Sequence, residues 1–320
     1  MQAQGRVASD GNGLYLTLIL LNLSLERRWK GSALIKIPRI QFLILSVLGL
    51  AGMAVQAVAA PPTDKVFLAP HRAVYDLKLK ESHGTRGIEA VRGRILYDFS
   101  GNTCEGYELQ FRQVSELDSS EGKTALSDLR STTWEDGNAK TFRFNSENLL
   151  DDKPTDVVDG HAERNTQTVA VDLSKPTAKK FTVSVSAVFP TEHMRRIIIA
   201  AREGKSILEF PVYDGSDNGE KLYSTLTVIG QPIPPGSKPL DDASAKFAEL
   251  ANLTRWPVTI SYFEQQNEKA EHAGEQTPVY AISFELFENG ISRALTLDYS
   301  DFVIKGDMTS LDIKKSKPCQ

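Results

Sequence analysis

The chain has 320 residues and a formal net charge of −4, with 41% hydrophobic, 8% aromatic and 24% charged residues. This ordinary globular composition excludes an intrinsically disordered chain, a collagen and a coiled-coil array. The mildly acidic charge argues against a nucleic-acid-binding surface. Two cysteines are too few for a disulfide-dense scaffold or a multi-thiolate metal centre.

Residues 1–59 form an N-terminal extension that ends in the pattern of a signal peptide. A basic run, Arg27–Arg39, precedes the almost wholly apolar stretch Ile40–Val55, and Ala57–Ala59 is a small-residue A-x-A cleavage site. We expect cleavage after the last of these alanines and export to the periplasm. An uncleaved membrane anchor is the alternative, because the apolar stretch and its small-residue tail together reach spanning length. An overlong start would explain why the basic run lies so far from the first residue.

Residues 60–320 are predicted to form one all-β domain. Apolar and polar side chains alternate with a period of two in many segments, among them 73–80, 107–112, 169–173 and 280–286. Such alternation buries one face of a strand and leaves the other in water, which is typical of antiparallel sheets. About a dozen such segments with short polar links predict one closed or nearly closed antiparallel sheet, since an open sheet of this size would expose long edges.

Turn and helix signals agree with a barrel that carries one or two short helices. The Asn289–Gly290 dipeptide, between two alternating segments, predicts a tight hairpin. A helix is predicted over Thr191–Arg202, with the threonine as its cap and Gly204 as its left-handed stop. We expect it to lie against the sheet or to plug one end. A second short helix is expected within 241–252.

Catalytic and metal-binding patterns are not found in the sequence. There is no G-x-S-x-G motif, and no two of the five histidines have the spacing of a ligand pair. The segment Asp214–Gly219 resembles the start of a calcium loop, but the position that needs a bidentate Glu is Thr225. We interpret it as a tight polar turn, with a weak cation site as the alternative. We therefore predict no enzyme, no catalytic residues, no metal and no cofactor.

Five residues in two segments are the candidates for a binding surface. Trp256 opens a predicted strand and Tyr262 lies within it, and the two rings either pack in the core or form an aromatic rim or docking patch. The polar turn contributes Tyr213, Asp214 and Asp217.

Cys104 and Cys319 are the only thiols of the chain, and both lie in the part that we expect to be exported. An oxidising compartment favours pairing of two such thiols. An intramolecular disulfide would tie the C-terminal tail to an early strand or turn. Two free thiols, or an intermolecular bond, are the alternatives.

Three blocks of the sequence resemble the cell-envelope-integrity EipB family. The blocks are Tyr213–Gly219 with Lys221, Tyr223, Thr225 and Ile229–Gly230; Trp256–Val258 with Ser261–Phe263; and Glu288–Gly290 with Leu297–Tyr299 and Phe302. The resemblance implies a monomeric periplasmic spiral or open barrel of about fourteen antiparallel strands, with an internal disulfide between Cys104 and Cys319. It also implies a role in maintaining the envelope, linked to a periplasmic tetratricopeptide-repeat protein, and no enzymatic activity.

Two functions are therefore expected, and a third is kept as an alternative. The first is a non-enzymatic periplasmic protein that maintains the envelope by binding an envelope or repeat-protein partner. The second is a carrier of lipids or lipoproteins with an apolar barrel cavity, in which the 191–202 helix would be the lid. The third is a hydrolase whose residues meet only in space.

Overall fold

The computed structural model describes residues 66–83, 87–265, 276–315 and 319. The N-terminal extension 1–59, with its expected signal peptide, lies outside the described residues. Fourteen strands make up the fold: β1 His71–Ser82, β2 Ile88–Asn102, β3 Gly106–Ser119, β4 Thr124–Glu135, β5 Thr141–Leu150, β6 Lys153–Arg164, β7 Thr168–Lys175, β8 Lys179–Ser184, β9 Ile207–Val212, β10 Tyr223–Ile229, β11 Arg255–Glu264, β12 Tyr280–Phe287, β13 Ser292–Asp298 and β14 Phe302–Ile313. The helices are α1 Pro190–Arg202, a 3₁₀ turn Ala243–Lys246 and α2 Ala248–Ala251.

All fourteen strands belong to one antiparallel sheet that curls into a nearly closed barrel. The strand order is β8-β7-β6-β5-β4-β3-β2-β1-β14-β13-β12-β11-β10-β9. Pairing of β1 with β14 joins the two halves of the chain, and α1 connects the two end strands, β8 and β9. A short parallel bridge between Val188 and Val212 narrows the remaining gap. The prediction of an all-β barrel of about fourteen strands is thereby confirmed.

The apolar positions of the period-two pattern form the inner face of the barrel. Ala73, Tyr75 and Leu77 of β1 are buried in the main core. A second core lies between β5, β6 and β7 and includes Phe142 and Val171. Alternation therefore identified the buried face of the strands directly, because successive side chains of a strand point to opposite sides.

Helix α1 covers one end of the barrel. Near its start, Arg195 donates to the carbonyl of Gly137 in the β4–β5 turn. At its end, Arg202 donates to the carbonyl of Glu288 in the β12–β13 turn. Both turns lie at the same end of the antiparallel sheet, and the buried Ile197 and its neighbours pack into the main core. Helix α1 therefore plugs one end of the barrel, which is one of the two positions that we expected for it.

The helix termini confirm one capping prediction and correct another. After Arg202, the amides of Gly204 and Lys205 return to the carbonyls of Ala201 and Ala200, with Gly204 at φ +73°. This is a Schellman stop, which needs a residue that tolerates positive φ. The prediction that Thr191 caps the N-terminus is wrong, because the helix starts one residue earlier, at a proline.

The second predicted helix is broken into two short turns. Within 241–252 the chain forms the 3₁₀ turn and then α2, separated by Phe247 in an extended conformation (φ −109°, ψ 103°). A segment this short gains too few hydrogen bonds to propagate a helix, so tertiary contacts decide its conformation.

Hairpin turns agree with the sequence. Gly290 in the β12–β13 turn has φ +86°, and its amide donates to Phe287. In the same turn, the carbonyl of Asn289 accepts a hydrogen bond from the amide of Ala69. A Cβ at Gly290 would collide with Leu68, so the close approach of the N-terminal segment also requires glycine.

Cys104 and Cys319 form an intramolecular disulfide with their Cα atoms 5.8 Å apart. Cys104 lies in the β2–β3 turn, whose amides at Cys104 and Glu105 donate to the side-chain oxygen of Asn102. The bond ties the end of the chain beyond β14 to this turn. The alternatives of free thiols and of an intermolecular bond do not apply to this structure.

In the described part of the chain, none of the helices combines the length and the apolar character that a bilayer crossing requires.

Candidate binding surfaces of the barrel

A row of aromatic rings lies inside the barrel at the end opposite α1. Ring centroids are 6.1 Å apart for Tyr223 and Tyr262, 5.9 Å for Tyr262 and Tyr280, and 5.1 Å for Tyr280 and Tyr299. Phe302, at the start of β14, continues the row at 5.2 Å. The antiparallel register places these residues on neighbouring strands at the same height, so their rings form a continuous inner surface, the tyrosine row.

The tyrosine row lines a concave surface. Tyr262 and Tyr280 lie on interior strands of the sheet, and Tyr299 directly follows β13, yet all three remain half-buried. Burial raises the pKa of Tyr280 well above the ordinary value for tyrosine, and it also raises the pKa of Tyr299. Side chains that are surrounded by protein and yet keep accessible surface face a hollow, which is the usual geometry of a small-molecule site.

The wall that faces the tyrosine row comes from β3 and β4. Phe111 and Gln113 of β3 and Ser131 of β4 are half-buried on the inner face. The amide nitrogen of Gln113 lies 3.5 Å from the hydroxyl of Tyr299, although the two strands are four positions apart in the sheet. The inner surface is therefore mainly aromatic and aliphatic, with a few hydroxyl and amide groups.

The segment 213–219 closes the side of this interior. Tyr213 is fully buried (0% exposed), and its hydroxyl donates to the carbonyl of Gly219 at 2.6 Å. The carboxylate of Asp214 accepts from the amide of Ser216, which makes the predicted Asx turn. Burial raises the pKa of Asp214.

The second carboxylate of this segment is held by two neighbours. Asp217 accepts a hydrogen bond from the hydroxyl of Tyr223 at 2.5 Å and pairs with the ammonium of Lys221 at 2.8 Å. Lys221 also contacts Glu264 at 2.5 Å. Among the described residues, no group of three or more metal-binding side chains could hold an ion. The polar turn is a structural element that positions the first ring of the tyrosine row.

The structure brings four of the five predicted surface residues into one region. Asp217 accepts a hydrogen bond from Tyr223, which contacts Tyr262, and Tyr213 and Asp214 belong to the same segment as Asp217. Trp256 lies six residues from Tyr262 on the same strand, about 20 Å away at ~3.3 Å per residue. Its side chain is 5% exposed and packs in the main core. These residues therefore face the interior, whereas the sequence could not say which way they point.

Sequence reasoning missed Tyr280 and Tyr299 as members of this surface. Tyr280 was named only as a position in an alternating segment, and Tyr299 only as such a position and as part of a block that resembles the family. One sequence signal could have indicated this surface. Consecutive predicted strands carry an aromatic residue at the ends that a hairpin pairs with each other, so these residues should lie side by side.

A second concave surface lies on the outer face of β3–β6. This groove has a volume of about 600 Å³, and its lining is Glu108, Thr132, Thr133, Trp134, Thr141, Arg143, Phe144, Asn145, Asp159, Gly160, His161 and Glu163. Trp134 and Arg143 are directly opposite in the β4–β5 register, and the guanidinium carbon lies 5.2 Å from the indole centroid. We call this surface the outer groove.

These features define a class: a nearly closed antiparallel β-barrel with a helix across one end and an aromatic hollow near the other. The chain belongs to the EipB-like family, whose model matches residues 62–315. The resemblance that the three sequence blocks indicated is thereby confirmed.

A named protein sequence and a crystal structure, both from Brucella abortus, support this assignment. The chain is 35% identical over 260 residues to the cell envelope integrity protein EipB of strain 2308, and the match covers 80% of this chain and 88% of that protein. It is also similar to the crystal structure of a β-barrel-like protein of a domain of unknown function, with a TM-score of 0.71 and 33% identity. That match covers 78% of this chain and all of the solved chain. The name of the EipB relative supports a role in cell envelope integrity.

Proposed function

We propose that this chain maintains the cell envelope as a monomeric, non-enzymatic periplasmic protein that acts by binding, after export by a cleaved signal peptide. The observation that carries the binding role is the tyrosine row inside a barrel that α1 covers at one end, because Tyr262, Tyr280 and Tyr299 of this row are only half-buried. N-terminal sequencing of the mature protein tests the export step, with Ala60 expected as the first residue. A mature chain that retains the Ile40–Val55 stretch would contradict it.

The chemistry of the interior favours an amphipathic ligand from the envelope, such as an acylated molecule. Aromatic and aliphatic side chains supply most of the inner surface, and burial of apolar area provides most of the free energy of binding such a chain. The hydroxyls of Tyr280 and Tyr299 and the amide of Gln113 supply a few hydrogen-bonding groups for a polar part. We therefore place the ligand site of the proposed lipid or lipoprotein carrier inside the barrel, between the tyrosine row and β3.

Two lysine substitutions on adjacent residues test the interior site. Phe111→Lys places a charge on the inner face, whereas Gln110→Lys places the same charge on the outer face of the same strand. We expect Phe111→Lys to abolish binding of a fluorescent fatty acid, cis-parinaric acid, and Gln110→Lys to leave it unchanged. Ser131, directly opposite Phe111, offers a second variant, Ser131→Trp, which fills the space without a charge.

Several outcomes would overturn the interior site. Equal binding by Phe111→Lys and Gln110→Lys would do so, as would unchanged binding by a folded Ser131→Trp. Native mass spectrometry of the purified protein adds an independent measurement. A protein that neither copurifies with an acylated molecule nor binds the probe would contradict a carrier role.

A protein partner is the second candidate, and one surface feature favours it. Ile207 of β9 and Val228 of β10 are paired directly across the two strands, and they are 61% and 46% exposed. Strand β9 ends the sheet order, so this exposed apolar pair lies at the rim of the sheet, where the apolar groove of a helical protein could cover it. We propose a periplasmic tetratricopeptide-repeat protein as the partner.

Site-specific photo-crosslinking tests this surface. A benzoylphenylalanine at Ile207 should give an adduct with a repeat protein in living cells, whereas the same group at the exposed Ala170 of β7 should not. The same adducts from both positions, or adducts with no repeat protein, would contradict the proposed partner.

A further inference from the structure

The outer groove has the chemistry of a saccharide site, and this inference does not depend on the interior site. We propose that the outer groove binds a short oligosaccharide of neutral or N-acetylated sugars. Three features favour such a ligand: the support of Trp134, the hydrogen-bonding groups around it, and the repulsion or poor fit of other ligand classes.

Trp134 is held as a platform on the outer face. The backbone of Gly106, on the neighbouring strand β3, approaches the indole so closely that a Cβ there would lie 2.6–2.8 Å from three ring atoms. The ring therefore rests on backbone and is not free to swing away. The guanidinium of Arg143 lies over the ring, so a ligand meets the stacked indole and guanidinium together and not an open indole face.

The guanidinium of Arg143 lies over the Trp134 ring, and its N–H donors are free. Within the described ranges, it is the one arginine for which no hydrogen-bond acceptor and no carboxylate partner is found; its contact is with the Trp134 ring. Other surface arginines, such as Arg92 and Arg112, are paired with carboxylates on neighbouring strands. Stacking on the indole limits the rotamers of Arg143, so fewer are lost when a ligand binds.

The remaining groups of the groove alternate between donors and acceptors. His161 lies directly opposite Arg143 on β6, and Glu163 lies opposite Thr141. A sugar hydroxyl both donates and accepts, so a wall that mixes guanidinium, imidazole, hydroxyl and carboxylate groups can satisfy several hydroxyls at once. The groove volume, about 600 Å³, is within the usual range for small-ligand sites.

The same lining disfavours other ligand classes. Glu108, Asp159 and Glu163 outnumber the single guanidinium of Arg143, so a polyanion would be repelled. Trp134 and Phe144 are the only large apolar side chains of the lining, so an acyl chain would bury little apolar area there. Strands β3–β6 are each paired on both sides, so a peptide has no sheet edge to extend.

Saturation-transfer NMR with defined sugars tests the proposal. The probes are chitotriose and maltotriose, with polygalacturonate as the anionic comparison. We expect transfer to at least one neutral trisaccharide, and at least about tenfold weaker binding in Trp134→Ala and in Arg143→Ala. Arg92→Ala, on the same outer face but outside the groove, should bind as the unaltered protein does. Trp134→Phe keeps an aromatic face and should retain part of the affinity.

The outcomes separate this proposal from the interior site. Phe111→Lys should leave sugar binding unchanged, so a failure of the carrier function does not affect the result. Absence of transfer to both neutral sugars would overturn the proposal, as would equal affinity in a folded Trp134→Ala. Tighter binding of polygalacturonate than of either neutral probe would also overturn it, because the ligand class would then be wrong.

Discussion

The carboxylate of Glu135, on strand β4, accepts a hydrogen bond from the backbone amide of Thr191 in the first turn of α1, at 2.7 Å. Its other oxygen accepts from the amide of Glu192 at 2.8 Å. A strand residue more than fifty positions away thus caps the helix that covers the end of the barrel. Burial raises the pKa of Glu135 to about 7, and it outweighs the two amide hydrogen bonds, which favour the anion.

The first prediction concerns pH. Because the folded pKa of Glu135 lies above its ordinary value of 4.5, this group stabilises the fold fully below pH 4.5. The contribution is lost as the pH rises through 7. The free energy of unfolding should therefore fall by up to about 3 kcal/mol over this range from this group alone. Glu135→Gln, which cannot ionise, should lack that slope in denaturant titrations at several pH values.

A matched substitution makes the pH measurement specific. Glu209→Gln, at an exposed position of β9, should keep the slope of the unaltered protein. Identical slopes in Glu135→Gln and the unaltered protein would show that the carboxyl at position 135 does not titrate as stated.

The second prediction concerns the disulfide. Cys104 and Cys319 are separated by 215 positions, and in the chain-entropy model a loop of this length stabilises the fold by about 5 kcal/mol. The double substitution to serine should lower the melting temperature by roughly 10 °C or more. Unaltered protein under reducing conditions should melt at the same lower temperature as the double variant. A double variant that melts with the oxidised protein would contradict a stabilising role.

The third prediction concerns an ion cluster on the outer face of β11–β13. Glu285 contacts Lys238, Arg255 and Arg293, and Arg255 is only 2% exposed. Burial opposes ionisation of Glu285, but hydrogen bonds from these three cations outweigh it and lower its pKa to about 2. Glu285→Gln leaves the buried Arg255 without its carboxylate, and should cost about 3–5 kcal/mol at pH 7.

The pH dependence of this cluster has the opposite sign to that of Glu135. A depressed pKa gives stability that is present above the ordinary value of 4.5 and is lost as the pH falls through 2. The difference between Glu285→Gln and the unaltered protein should therefore shrink as the pH falls below about 4.5 in denaturant titrations. A difference that stays constant down to pH 2 would indicate that lost packing, and not lost charge, destabilises the variant.

The fourth prediction concerns the segment 213–219. Gly215 has φ +69°, and a Cβ there would collide with the ring of Phe144 in the second core. Gly122 has a similar φ of +72° but no atom within 4 Å of its Cβ position. Gly122→Ala should thus cost about 1 kcal/mol from backbone conformation, and Gly215→Ala at least about 2 kcal/mol more from the collision. Equal losses in thermal or denaturant unfolding would show that the segment moves away freely.

The sequence by itself determined the class of the fold and its inner face. Alternation marked Ala73, Tyr75 and Leu77 as buried, and the Asn289–Gly290 dipeptide marked a hairpin, because strand pleating and positive φ are local properties. Local chemistry likewise placed the end of α1 at Arg202. The two cysteines, in a part of the chain that we expect to be exported, favoured a disulfide, and the structure selects the intramolecular bond among the alternatives.

Only the tertiary structure decided what the predicted surface residues do. Tyr213 and Trp256 could equally have faced a partner, and their burial depends on contacts with distant strands. The tyrosine row and the pairing of Trp134 with Arg143 arise from register between strands, which a period of two does not specify across fourteen strands. The capping of α1 by Glu135 has the same origin, since a long-range contact leaves no mark in the local pattern of either segment.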